Sequence, residues 1–259
     1  IANQYATADQ FMALYGEAEA AARKAVSLAP RYADAQSTLG VVLFQGKLDF
    51  RGARHPFEVS RRLGPGDANV LARFATFCSA VGRFNEATEA MSRALKLDPL
   101  NPAMYNSAGF VQYSARRFAQ AIPLYKKALE LNSKLPFAHA SIGNCYFALN
   151  KFQDARAEYL LEPLDVLRLP AIAIVARKLG NEAEAQDALK RLTSDRGEGA
   201  SYQQAQVKSQ WGELSGALEK LEEAARIGDT GITNMRNDPM LAPLRHNPRV
   251  IRLLKQVGF

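Results

Sequence analysis

The sequence predicts an all-α protein, a solenoid of antiparallel helix pairs, and three observations carry that prediction. Phe84, Phe118 and Phe152 stand 34 residues apart, and Ala87, Ala121 and Ala155 hold the same interval. The basic residues Arg83, Arg117 and Lys151 repeat in step with them, as do the pairs Ala94 and Ala128, Leu95 and Leu129, and Leu97 and Leu131. Gly109 and Gly143 share one phase, with Ala75 in the equivalent earlier place. A period kept by this many residue types marks a unit that buries its apolar face against its neighbours.

The unit at 102–135 shows how one repeat reads. Its first helix starts at Pro102, with Asn101 as N-cap and proline at the first helical position, where a missing amide costs nothing. A turn follows at Arg116 and Arg117. The second helix carries Ala121, Leu124, Tyr125, Ala128 and Leu129 at helical spacing, with Pro123 early in it. Two antiparallel helices approach closely only where the crossing has little side chain. Gly109 and Ala121 mark the crossing inside the unit, and Ala128 marks the contact with the next.

The remaining units follow in order. Residues 1–32 give an incomplete unit whose second helix is YGEAEAAARKAVSLAP. The unit at 33–67 needs one extra residue, placed in KLDFRGARHPF, and the unit at 68–101 is clean. The unit at 136–165 begins well, but Glu162 and Pro163 stand where its second helix should continue, so that helix is expected to stop early. Degenerate units follow at 166–197, where Pro170 should delay or kink the first helix, and at 198–228, opened by a loop at GEGASYQ. The array thus occupies 1–235. The tail at 236–259 breaks the pattern with three prolines and a short amphipathic end, and reads as a cap over the last repeat's apolar edge.

This pattern resembles the tetratricopeptide repeat. That family places a small residue at repeat position 8, alanine at 20 and 27, aromatics near 17 and 24, and proline near 32. Gly109, Ala121, Ala128, Phe118, Tyr125 and Pro99 stand at those positions. The resemblance implies a right-handed superhelix whose concave groove is lined by the first helix of each pair, through repeat positions 2, 5, 9 and 12. Carried over, these are Asp34, Ser37, Val41 and Phe44, then Asn69, Ala72, Thr76 and Ser79. The next two units give Ala103, Asn106, Phe110 and Tyr113, then Phe137, Ala140, Asn144 and Phe147. Among them Asn69, Asn106, Phe110, Tyr113, Phe137, Asn144 and Phe147 form the candidate binding groove. Asparagine both donates and accepts, so it grips a peptide backbone whatever its sequence, and the aromatics suit apolar side chains.

The lysine, asparagine and arginine set with which some chaperone adaptors of the family hold a terminal carboxylate is replaced here by Ala72, Thr76, Ser107, Phe137 and Ser141. The tail, with Asp238-Pro239, Leu244-Arg245 and Pro248-Arg249, resembles the closing segment of the repeat halves of some bacterial regulators. In those proteins the repeats follow a winged-helix or nucleotide-cyclase domain.

Other chemistries find little support. His55, His139 and His246 share no helical turn with one another or with a cysteine, so no metal site is expected, and His139 reads as a core residue packed between units. Cys78 and Cys145 read as buried free thiols in a reducing compartment. LGPGD at 63–67 is a turn without the Gly-Lys-Ser/Thr of a phosphate loop, and no Gly-x-Ser-x-Gly elbow occurs. Glu86 and Glu89 read as a solvated face. No catalytic residues and no cofactor are expected.

The formal charge of +7 permits an acidic partner. Its carriers, Arg51, Arg54, Arg61, Arg62, Arg93, Lys96, Lys126 and Lys127, read as a dispersed outer face rather than the stripe that phosphate backbones want. No run of about 18 apolar residues suggests a membrane span, and no leader pattern is seen, which points to the cytoplasm. Because the first residue is Ile1, the chain reads as a processed product or part of something longer. The expected role is a non-catalytic scaffold that takes a peptide or protein partner in its groove. Two rivals are the assembly half of a larger bacterial regulator and a nucleic-acid binder acting through the basic outer face. Dimerisation through a repeat edge, such as residues 1–6, is a further expectation.

Overall fold

The computed structural model describes residues 8–259, with side chains from residue 13 onward; the edge at 1–6 lies outside the described residues. Fourteen α-helices and no strand are found among them. Helix α1 spans Ala8–Leu28. Six antiparallel pairs follow: α2 (Ala33–Val41) with α3 (Phe50–Leu63), α4 (Ala68–Ala80) with α5 (Phe84–Leu97), and α6 (Pro102–Ser114) with α7 (Phe118–Leu131). Then come α8 (Ala138–Ala148) with α9 (Phe152–Leu161), α10 (Asp165–Lys178) with α11 (Glu182–Arg196), and α12 (Ser201–Trp211) with α13 (Leu214–Arg226). Two 3-10 turns, Thr230–Asn234 and Pro239–Leu244, lead to α14 (Pro248–Val257). The fold is an all-α right-handed superhelical solenoid.

The period is written in the backbone. The first helix of each pair ends on a left-handed residue: Leu48, Gly82, Arg116, Asn150, Gly180 and Gly212 all have positive φ. In five of the six the next amide then bonds back to the carbonyl five residues earlier, as Arg83 does to Cys78 at 2.7 Å and Arg117 to Gln112 at 2.9 Å, while Asp49 reaches back six, to Leu43 at 2.8 Å; each bond closes the helix and reverses the chain. Glycine adopts this conformation freely, whereas Arg116 pays on the order of 1 kcal/mol for it.

Inside three of the six pairs, a glycine on the first helix receives a ring from the second. A Cβ placed on Gly109 would sit 2.6 Å from the Tyr125 ring, and one on Gly143 would sit 2.3 Å from the Tyr159 ring. Gly40 meets the Phe57 ring in the same way. Gly109 therefore accommodates Tyr125, while Ala121 is fully buried beside it. Gly143→Ala is expected to overpack the crossing and cost about 1–3 kcal/mol, read as a lower urea midpoint with unchanged slope.

Four local expectations are corrected. The extra residue of the second unit lies not in 47–57 but in a π-helical turn at Val42–Gly46, where the Lys47 amide bonds to the Val42 carbonyl at 3.1 Å. A π turn closes one residue later than an α turn, so it absorbs the insertion without moving the α2–α3 crossing. Pro123 sits at the sixth position of α7, past the first turn, and Pro170 does not delay its helix, since α10 begins ahead of it at Asp165. In the unit at 136–165 the first helix begins only at Ala138, after Phe137 in the left-handed region. GEGASYQ is not a plain loop, since Gly197–Ala200 forms a 3-10 turn running into α12.

Helix α9 does stop early, at Leu161, and the residue that ends it has a second task. Glu162 is fully buried, and its carboxylate accepts from the amides of Ala140 at 3.1 Å, Leu164 at 3.3 Å and Phe137 at 3.4 Å. Its negative charge thus sits at the N-terminus of α8, where unpaired amides and the helix dipole favour an anion.

The tail does more than cover the last repeat. Tyr202, Gln206 and Gln210 form one stripe of α12 that holds it: the Tyr202 hydroxyl and Gln206 amide donate to Asp238 at 2.8 and 2.6 Å, and Gln210 donates to the Met240 carbonyl at 2.8 Å. It then crosses to the second and third units. Arg236 donates to the Val81 carbonyl at 2.7 Å, and Asn237 to the carbonyls of Ser79 and Ala80 at 2.8 and 3.2 Å. These carbonyls close the C-terminal end of α4, where the Ser79 carbonyl also accepts from the Gly82 amide at 3.2 Å. Phe259 packs on Phe50 with ring centroids 4.3 Å apart. The array is therefore fastened to itself by its own C-terminus.

Candidate functional site

The first helices of all six pairs face a common hollow, and the tail closes one side of it. The resulting half-enclosed cavity measures about 520 Å³, within the range of small-ligand sites. Helix α6 supplies Asn106, Ser107, Phe110 and Tyr113; α8 supplies Ser141 and Asn144; α12 supplies Tyr202, Gln203 and Gln206. Thr76 of α4 and Ile174 of α10 complete the inner wall, and Thr233, Asn234, Asn237 and Asp238 form the tail's wall.

Five of the seven residues proposed from sequence are brought together here: Asn106, Phe110, Tyr113, Phe137 and Asn144. Phe147 is not among them. Its ring turns into the core and packs on Phe152 at 5.3 Å, because α8 is short and its last turn leans on α9 and α10. Asn69 is exposed at the start of α4, away from the cavity. Phe137 lies at the rim, half exposed on its left-handed backbone.

The two cavity asparagines differ. Asn144 accepts from the Tyr159 hydroxyl at 2.8 Å, so it also ties α8 to α9. The Asn106 carbonyl oxygen is buried with no hydrogen-bond partner, and so is that of Gln203 on α12. Unpaired buried acceptors cost free energy, and a site gains by supplying donors to them.

Electrostatically the cavity departs from the rest of the molecule. Among the described residues no lysine, arginine or histidine lines it, and Asp238 is the one charged residue of the lining. Burial pushes the Asp238 carboxyl above its ordinary range, against the opposing effect of the bonds from Gln206, Met240 and Tyr202. Burial likewise holds the Tyr113 and Tyr202 hydroxyls well above the usual phenol value, so they stay protonated and serve as hydrogen-bonding groups rather than bases.

Gln203, Gln206 and the tail wall were not legible from the groove positions of the better repeats. One signal was available: Gln206 stands six residues before the turn at Gly212, as Asn144 stands six before the turn at Asn150.

The remaining polar clusters have structural partners. Arg83 bridges Glu58 at 2.7 Å and Glu86 at 2.5 Å and lies over the Phe74 ring, so Glu86, partly exposed, also joins an inter-pair network. His139 is not a core residue, since its Nδ1 meets Glu158 at 2.8 Å on a half-buried surface. Cys78 and Cys145 are buried free thiols, each pushed up to about 12 by burial, which keeps them protonated and unreactive. Among the described residues no group of three or more His, Cys, Asp or Glu stands in metal-ligating proximity, and no helix is long and apolar enough to cross a membrane. Arg54, Arg62, Arg93 and Lys96 are exposed.

Comparison with known proteins agrees with this architecture. Residues 79–136 and 111–164 match the tetratricopeptide repeat model. Over 145 residues the chain is 26% identical to the type IV pilus assembly protein PilF of Pseudomonas aeruginosa, a match covering 55% of this chain and 57% of PilF. Over 86 residues it is 31% identical to RNA polymerase II-associated protein 3 of Rattus norvegicus, covering 32% of this chain and 13% of that protein. The chain thus spans little more than half of the first and about an eighth of the second. In fold it resembles the crystal structure of a tetratricopeptide repeat protein from Parabacteroides merdae, with a TM-score of 0.63 and 16% identity over 94% of this chain and 92% of that one. With the left-handed turns at 82, 116 and 150 setting the period, residues 79–164 are a run of tetratricopeptide repeats, and the chain as a whole has the fold of a tetratricopeptide-like solenoid.

Proposed function

We propose that this chain is a non-catalytic scaffold that binds a peptide or protein segment in its concave cavity. One observation carries the reading: six first helices and the tail converge on a hollow lined by amides, hydroxyls and rings, in which two buried acceptors have no partner. A polypeptide segment offers backbone amide donors to such acceptors and backbone carbonyls to the free amide of Asn144. Likeness to a pilus assembly protein supports a role in bringing subunits together.

A photo-crosslinking side chain at Phe110, inside the cavity, tests this against one at Glu89, exposed on α5. A discrete adduct at Phe110 and none at Glu89 is expected in the source cells. The reverse pattern overturns the cavity reading.

The tail favours a second reading, on its Asp238-Pro239 and Pro248-Arg249 sequence: the solenoid is the assembly half of a longer regulator. Mass measurement of the endogenous protein decides this, and a product with no further domain contradicts it.

A further inference from the structure

The chain carries 33 lysines and arginines, and not one of them lines the cavity. What lines it is acceptor-rich. The oxygens of Asn106 on α6 and Gln203 on α12 are buried and unpaired. Asp238 is 6% exposed and forms no salt bridge among the described residues, although Arg245 acts on it through space. Its carboxylate accepts three hydrogen bonds, all from uncharged groups: Tyr202, Gln206 and the Met240 amide. A buried carboxylate without a counter-charge is a standing electrostatic cost, which a cation brought alongside reduces. The rings of Phe110 and Tyr113 stand in the same wall as Asn106, and aromatic faces attract cations, most strongly where water is excluded.

We infer that the partner segment inserts a cationic side chain, a lysine or arginine, into this cavity, where Asn106 and Gln203 accept its N–H groups. The inference rests on the cavity being the binding site and names what that site selects. Two orphaned acceptors and an uncompensated carboxylate line the same cavity, and a cation there offers donors to the former and a counter-charge to the latter. An acidic segment meets no positive group here and faces the Asp238 charge. Selection is therefore against negative charge, although the protein as a whole is positive, with a formal charge of +7.

The test uses the whole chain and three blocked glycine-serine peptides, identical except for one central lysine, glutamine or glutamate. Amide chemical shifts of α6 and α12 report cavity occupancy. The lysine peptide is expected to shift them and to bind at least tenfold more tightly than the glutamate peptide, with glutamine between. Asn106→Asp, which keeps an acceptor and adds negative charge, is expected to widen the lysine-to-glutamine ratio, and Asn106→Lys to abolish it. Both variants replace a side chain whose oxygen holds no native hydrogen bond, and far-UV circular dichroism confirms that they fold. Equal shifts by lysine and glutamine peptides overturn the cationic preference while leaving the cavity as the binding site. Tighter binding of glutamate overturns it outright. If no peptide shifts α6 or α12, the cationic preference fails, and the cavity reading is then decided separately by the Phe110 crosslink.

Discussion

A chain that ends at Gly228 is expected to lose its compact, monodisperse state. The segment removed buries seven large apolar side chains: Ile232, Met235, Met240, Leu241, Leu244, Val250 and Leu253. Each contributes about 1.5–3 kcal/mol by leaving water. The tail's own ordering entropy offsets much of that sum. What is not offset is the surface left behind, since Phe50, Tyr202 and the inner face of α12 lose their cover. Loss of the bonds from Arg236 and Asn237 also frees the carbonyl end of α4. A fall in melting temperature on the order of 10 °C or more follows if the net loss is a few kcal/mol, together with self-association on size exclusion. An unchanged melting temperature and a monomeric profile would show that the tail is only laid on the surface.

Tyr159→Ala is the point substitution expected to cost most. Its ring is fully buried against Gly143, and its hydroxyl donates to Asn144. Removing the ring empties the α8–α9 crossing, and the cost should be about 3–5 kcal/mol. Tyr159→Phe keeps the ring and loses only the hydrogen bond, for about 1 kcal/mol. Urea unfolding of the two variants separates packing from hydrogen bonding. Similar midpoints would mean that the hydroxyl, and not the ring, holds the pair together.

The fold was legible because its physical causes are local and recur. The reversal after each first helix returns at 34 residues from 82 to 150, and the glycine that admits a ring and the tyrosine that fills it return together, from Gly109 and Tyr125 to Gly143 and Tyr159. The π turn at 42–46 was misplaced because the insertion is absorbed within α2's own continuation, leaving the crossing of Gly40 and Phe57 intact. The cavity was only partly legible. Asn106, Phe110 and Asn144 follow from repeat phase, since one helix face decides where they point. Phe147 obeys the same phase, yet the shortened α8–α9 pair draws it inward. The tail wall depends on contacts such as Arg236 to Val81 and Asn237 to Ser79, between residues more than 150 positions apart. No periodicity within a single unit encodes such a closure. In sequence Asp238 stands out only as part of the tail's Asp238-Pro239 pair, and only the approach of α12 makes it a buried carboxylate.

Partner capture by wild type and two double variants tests the central claim, recognition in the cavity, most directly. Asn106→Ala/Phe110→Ala alters the cavity wall and is preferable to any change at Asn144, which also holds Tyr159. Arg62→Glu/Lys96→Glu reverses two exposed charges on the outer face. Loss of the captured protein by the first variant and its retention by the second is the predicted result. Retention by the cavity variant and loss by the outer-face variant would contradict the account and place recognition on the basic surface.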